Sequence, residues 1–401
     1  MSGGPPTQRL RGVHWRALAL GLAMTGGAPA GAHAAPRLPA SDDQVVETLP
    51  GGPGAAKAKQ RLRASLQERA GDPAAAIGAA QAYLALARTQ GDARYAGQAL
   101  AALRAWDTVP LGQTPPEVLV MRATVQQFVH DFDGAEASLK TALARRPADA
   151  QAWLTQATLL RVRGRLAESD AACRATGRAG PAVYGIACLA ENAALRGRHD
   201  EARATLRALL HDPPLQADSL AGVRQWLWTT LAEVEELAAR PAAAEAAYRE
   251  ALLLGRDGYL RLAYADFLLQ QDRASEVPPL LSAEPRSDPV LLRLAIAERR
   301  TSGRSGEAAE ELADRFAAEA LRPAGAAGHA REQALFALDV QGNAQQALAL
   351  ARQNIGLQRE PTDLLLLARA ARAARDPAAL AEARRVRDEI GLRDARIDAL
   401  L

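Results

Sequence analysis

Lysine is nearly missing: Lys57, Lys59 and Lys140 are the only three in 401 residues, and arginine supplies the rest of the basic charge. Aromatics make up only 4% of the chain, and valine and isoleucine are sparse. Strands draw on β-branched and aromatic side chains, so a β-rich fold is excluded on composition. The two cysteines, Cys173 and Cys188, rule out a multi-disulfide framework or a cysteine-based zinc site. Outside the first 34 residues the histidines are His130, His199, His211 and His329, scattered and without HExxH spacing, so no metal is expected. There is no GxGxxG, no GxSxG and no phosphate loop, since GGPGAAK (51–57) lacks the hydroxyl residue that should follow the lysine. These absences point to a non-enzymatic chain with no cofactor.

What is abundant is alanine, roughly a quarter of the residues, together with leucine. Both favour helix, and the expected fold class is all-α. Near the start, Arg9, Arg11 and Arg16 precede the short apolar run ALALGLAM (17–24) and a small-residue stretch with Ala32 and Ala34 at cleavage spacing. Charged, then apolar, then small is the pattern of a secretory signal peptide, here 1–34 with cleavage after Ala34. The apolar run is far shorter than the ~20 residues a spanning helix needs. No cysteine follows it for lipid attachment, and the expected location is the periplasm. Removing three arginines takes the 49 basic residues to 46, against 46 acidic. A near-neutral chain has no strong pull on nucleic acid or anionic lipid.

The rest of the chain repeats. Gly164 has Trp153 eleven residues before it and Pro181 seventeen after; His130 has Leu119 and Pro147, and Gly197 has Ile186 and Pro214, at the same offsets. Looser copies centre on Gly91, Ala239, Gln271, Gly303, Gly342 and Arg375. Each reads as a helix, a tight corner and a second helix ending near proline. A large apolar residue sits eleven before the corner (Leu119, Trp153, Ile186, Trp228, Leu260, Leu292, Leu364), with a small one four later in most copies. A second small residue recurs five after it, at Ala96, Ala135, Ser169, Ala202, Ala244, Ala308 and Ala347. Glu276 and Leu335 break these rules. The large residue fills space where alanine lets the neighbouring helix approach.

Trp153, Ala157, Leu160, Gly164 and Pro181 resemble the tetratricopeptide repeat signature, and the resemblance covers about 73–401. It implies a right-handed α-solenoid of about nine helix-turn-helix units. The expected organisation is a Pro/Gly-rich linker (35–54), an N-terminal capping helix (55–72), the array (73–392) and a C-terminal capping helix (393–401). The resemblance further implies that the first helix of each unit lines a concave groove holding an extended peptide or partner protein. Carried over position by position, that wall includes Gln127, Thr158, Arg161, Tyr184, Glu191, Trp226, Glu233 and Glu236. Lysine and asparagine of the family's carboxylate clamp are missing from it, so a partly basic segment suits it better than a chain terminus. The expected role is a protein-interaction scaffold, for example in an envelope assembly or secretion system. A glycan-binding subunit of a polysaccharide export or synthesis complex is the alternative, with Trp226 as either stacking platform or core residue. Cys173 and Cys188 sit nearly symmetrically about the turn at Gly180-Pro181, as a disulfide or as two buried thiols. In Arg161-Val162-Arg163-Gly164-Arg165 the arginines surround a corner rather than continue as a basic stripe, and Arg161 alone faces the wall.

Overall fold

The computed structural model describes residues 71–90, 94–255, 257–320 and 330–401, with Ser41 and Gln60. The expected signal peptide and linker, most of the 55–72 cap, the corner at Gly91 and His329 lie outside the described residues. Within the unit Pro36–Leu401 the described residues form an all-α solenoid of helical hairpins, with no strand among them.

Nine hairpins follow one another among the described residues. The first pairs α1 (Pro73–Gln90) with α2 (Arg94–Ala102), the second α3 (Pro116–Phe128) with α4 (Phe132–Arg145), and the third α5 (Ala150–Val162) with α6 (Leu166–Ala179). Then come α7 (Ala182–Leu195) with α8 (His199–Leu210), α9 (Ala221–Leu237) with α10 (Pro241–Leu254), and α11 (Gly258–Gln270) with the short α12 (Val277–Leu281). The last three are α13 (Asp288–Ser302) with α14 (Glu307–Ala320), α15 (Ala330–Asp339) with α16 (Ala344–Ile355), and α17 (Pro361–Ala373) with α18 (Pro377–Ile390). A short α19 (Ala395–Asp398) follows, with Ile397 fully buried.

The corners explain the repeat. Gly164, Gly197, Gly303 and Gly342 have φ of 74°, 83°, 73° and 68°, a left-handed region that costs a residue with Cβ about 1–2 kcal/mol. His130, Ala239 and Arg375 adopt it without glycine, and so does Asp272 rather than Gln271. That one-residue correction removes an anomaly: five after Asp272 is the buried Val277, not Glu276. In most units a backbone N–H just past the corner closes on the carbonyl five residues back, as Arg165 does on Leu160 (2.8 Å). At Gly342 the bond runs from Asn343 back to Ala337, one residue further. The inserted residue shifts the register of α15, so the small buried position is Ala334 and Leu335 is half-buried.

The small positions carry the packing. Ala123, Ala157, Ala232 and Ala368, and Ala96, Ala135, Ser169, Ala202, Ala244 and Ala347 on the second helices, are all completely buried. Large positions are less uniform. Leu119, Leu260, Leu292 and Leu364 are buried, whereas Trp153 and Trp228 are half-buried and Ile186 is 40% exposed. Next to Ile186, α7 meets α6 at Gly185 and Gly177. A Cβ on Gly185 would lie 2.6 Å from the Gly177 nitrogen.

The array returns onto itself. Leading into the ninth hairpin, Arg359 N–H donates to the Val162 carbonyl at the corner of the third (2.7 Å). Just before α19, Arg393 N–H donates to Leu195 O at the corner of the fourth (2.8 Å). Gly164 leaves room for Ile390, whose Cγ1 would be 2.9 Å from a Cβ there, and Leu357 packs on the core of the second and third hairpins. The end of the array thus packs against the corners of its third and fourth hairpins.

Candidate functional site

The inner wall is built by the first helices of the hairpins. Their inward positions recur because residues spaced by three, four or seven share one helical face. Six residues before the corners at Gly197, Ala239 and Asp272 stand Glu191, Glu233 and Asp266. Thirteen before the same corners stand Tyr184, Trp226 and Tyr259. The Tyr184 and Trp226 rings lie 5.9 Å apart at 32°, and Tyr259 is 65% exposed.

The wall's charges are largely matched within the chain. Arg161 donates to Glu191 (2.6 Å), with both side chains mostly shielded. Glu236 receives Arg396 from α19 at 2.7 Å and the Tyr248 hydroxyl at 2.5 Å, while Arg396 also reaches Gln270 (3.0 Å). Asp266 receives Arg293 in a two-pronged pair (2.5 and 2.8 Å). Glu233 accepts a hydrogen bond from the Tyr259 hydroxyl (2.5 Å) and has no ion pair among the described residues.

Enclosure shifts these acids. The Glu233 carboxyl is walled by protein although its surface still meets water. Its desolvation, reinforced by the charges of Glu191 and Glu236, pushes its pKa up to about 8 against the opposing Tyr259 hydrogen bond and Arg161. Burial also raises Glu191 against the pull of Arg161, and Glu236 against Arg396 and Tyr248. Tyr259 is held well above its ordinary value, chiefly by the Glu233 charge.

Of the residues expected to meet a partner, Arg161, Glu191, Glu233 and Glu236 come together on this wall with Tyr184 and Trp226. Thr158 bonds its own helix at the Leu154 carbonyl (3.1 Å), and Gln127 is half-buried one hairpin before Arg161. Arg161 and Glu236 pair within the chain, with Glu191 and Arg396. Sequence reasoning missed Tyr259, because the wall positions carried over end with the hairpin cornered at Ala239, one before its own. It also missed Arg396, whose place depends on the return of the array.

No family model matches the chain. No curated protein matches it either. Among solved structures it is similar to one titled "Crystal structure of APC/C hetero-tetramer Cut9-Hcn1", at 12% identity and a TM-score of 0.47, over 84% of this chain and 64% of that one. The chain thus spans less than two thirds of that chain's length.

Away from the wall, Cys173 and Cys188 are bonded (S–S 1.96 Å, Cα–Cα 5.6 Å) and buried between α6 and α7. At the arginine-rich corner, Arg163 pairs with Asp133 (2.6 Å) and Arg165 with Glu136 (2.7 Å) on the preceding hairpin. Among the described residues no group of three or more His, Cys, Asp or Glu side chains is placed to hold a metal, and no helix is long and apolar enough to cross a membrane.

Proposed function

We propose that the chain is a non-enzymatic protein-interaction scaffold whose inner wall receives an extended segment of a partner protein. The observation that carries this reading is the stripe Tyr184, Trp226 and Tyr259, half-exposed or exposed on three successive inner helices above the carboxylates Glu191, Glu233 and Asp266. Aromatic side chains this open are uncommon in a chain whose other tyrosines are largely buried, and they supply contact area at small cost in conformational entropy. A glycan reading would use the same rings. The carboxylates Glu191, Glu233 and Asp266 beside the rings match basic side chains of a protein better than a neutral sugar, which favours the protein partner.

We place the chain's work in an oxidising compartment, the periplasm of an exported protein. The Cys173–Cys188 bond supports this, because such bonds persist outside the reducing cytosol. A role in envelope assembly or secretion accords with that setting. The test is site-directed photo-crosslinking in cells of the source species. A photoreactive residue at Thr158 or Tyr184 should trap one defined partner, and the same residue at Arg207 on the outer helix α8 should not. Equal trapping at both places, or none at the wall, would refute the reading.

A further inference from the structure

The wall alternates carboxylates with guanidinium groups, and among the described residues the alternation breaks at Glu233. Glu191 holds Arg161, Glu236 holds Arg396 and Asp266 holds Arg293. Arg396 belongs to a segment remote in sequence, so the wall already accepts a guanidinium presented from outside its own helices. Glu233 stands among these acids, acted on by Glu191 and Glu236, and its hydrogen bond comes from a neutral hydroxyl. On its own helix, Trp226 lies seven residues earlier, two turns along the same face. Tyr259, the ring that bonds it, is 65% exposed. An aromatic face beside a carboxylate is the pairing that receives an organic cation, through the ring quadrupole on one side and charge on the other.

Deepening the scaffold reading on which it rests, we propose that Glu233, with Trp226 and Tyr259, seats an arginine or lysine side chain of a basic, extended partner segment. Inner helices packed side by side lie about 8–10 Å apart. An extended chain advances about 3.3 Å per residue. Basic residues three apart would therefore meet successive rings of the stripe. Cation entry supplies the charge the site lacks and draws the proton off Glu233, whose carboxyl is held up to about 8. The other charged or titratable groups facing the site are Glu191, Glu236, Arg161, Tyr259 and, from the second helix of the same hairpin, Tyr248, with Glu360 acting on Glu191 and Tyr259.

The probe is a nonapeptide with arginine at every third position, compared with its citrulline isostere, which keeps the shape and removes the charge. Binding to the full chain is followed by tryptophan fluorescence and calorimetry at low salt from pH 6 to 9. The arginine peptide should bind at least tenfold tighter than the citrulline peptide, and its affinity should rise with pH and level off above about 8. Glu233→Gln, which can still accept from Tyr259, should lower affinity at least tenfold and flatten the profile, while Glu310→Gln on an outer helix should change nothing. Equal binding of the two peptides, or an unaltered affinity in Glu233→Gln, would overturn the seat. So would failure of the arginine peptide to bind at any pH, whereas a partner still crosslinking at Thr158 or Tyr184 would leave the scaffold reading standing.

Discussion

Replacing Gly185 with alanine sets two effects of opposite sign against each other. In a helix interior alanine is favoured over glycine by about 1 kcal/mol. Here, however, the new Cβ would lie 2.6 Å from Gly177 N and 2.7 Å from both Gly177 Cα and Cys173 O. All three are backbone atoms, so no side chain can swing away. The helices cannot easily slide apart either, because the Cys173–Cys188 bond ties α6 to α7 within one turn of Gly185. Overpacking of this kind costs about 1–3 kcal/mol, and the rigid neighbours place it toward the upper end. The net expectation is a loss of about 1–2 kcal/mol. Repeat arrays lose structure locally, so the readout is hydrogen exchange of peptides within 166–195 over a urea series. Gly78→Ala, in α1 with nothing within 4 Å of its Cβ, is the control and should gain stability in its own hairpin. Reductant should shrink the Gly185→Ala penalty by letting the helices part. The reasoning fails if Gly185→Ala is as protected as the parent chain, or if its penalty is the same with and without the disulfide.

Reduction of Cys173–Cys188 alone, across 15 residues, should remove about 3 kcal/mol from the third and fourth hairpins, seen as earlier urea-induced exchange there and unchanged exchange in the first hairpin. Gly164→Ala combines a φ of 74° with a Cβ 2.9 Å from Ile390, so it should cost about 2 kcal/mol and speed exchange of the Arg359 amide that bonds Val162. Glu235→Ala leaves Arg203 without the fully buried carboxylate that takes its two-pronged bond, and a loss of about 3 kcal/mol in local unfolding free energy, read as a lowered urea midpoint, is expected. Glu233 bears on pH dependence. Its folded pKa is raised from 4.5 to about 8, so the fold favours the protonated form. Its contribution to stability is full below about pH 4.5 and is lost as pH rises through about 8. Glu233→Gln should flatten urea midpoints over that window and be the more stable chain at pH 9.

Much of the fold was legible because the hairpin is a local object. The corner needs a left-handed residue, the crossing needs a small one, and both leave marks at fixed offsets, as at Gly164 with Ala157 and Ser169. Where the marks blurred, so did the reading. Asp272 takes the corner without glycine, and the residue inserted before Gly342 displaces Ala334 from its expected place. The candidate wall was legible as a set of positions, since Tyr184, Glu191, Trp226 and Glu233 follow from the same offsets. Their partners were not. The corner positions set Arg161 apart from Arg163 and Arg165, but did not show that Arg163 and Arg165 would bridge to Asp133 and Glu136 while Arg161 pairs with Glu191.

The sequence by itself determined the all-helical array, the length of its unit and the burial of its alanines. These depend on contacts within a hairpin or between neighbours, and a period of about 33 residues records them. Only the tertiary structure decided that the ninth hairpin lies on the third, that Arg396 reaches Glu236, and that Glu233 has no ion pair among the described residues. Closure is the sum of small rotations at every interface, each set by how nearly two backbones approach, as at Gly177 and Gly185. No local pattern carries that sum, so the contact between Arg359 and Val162 exists only once the whole array has packed.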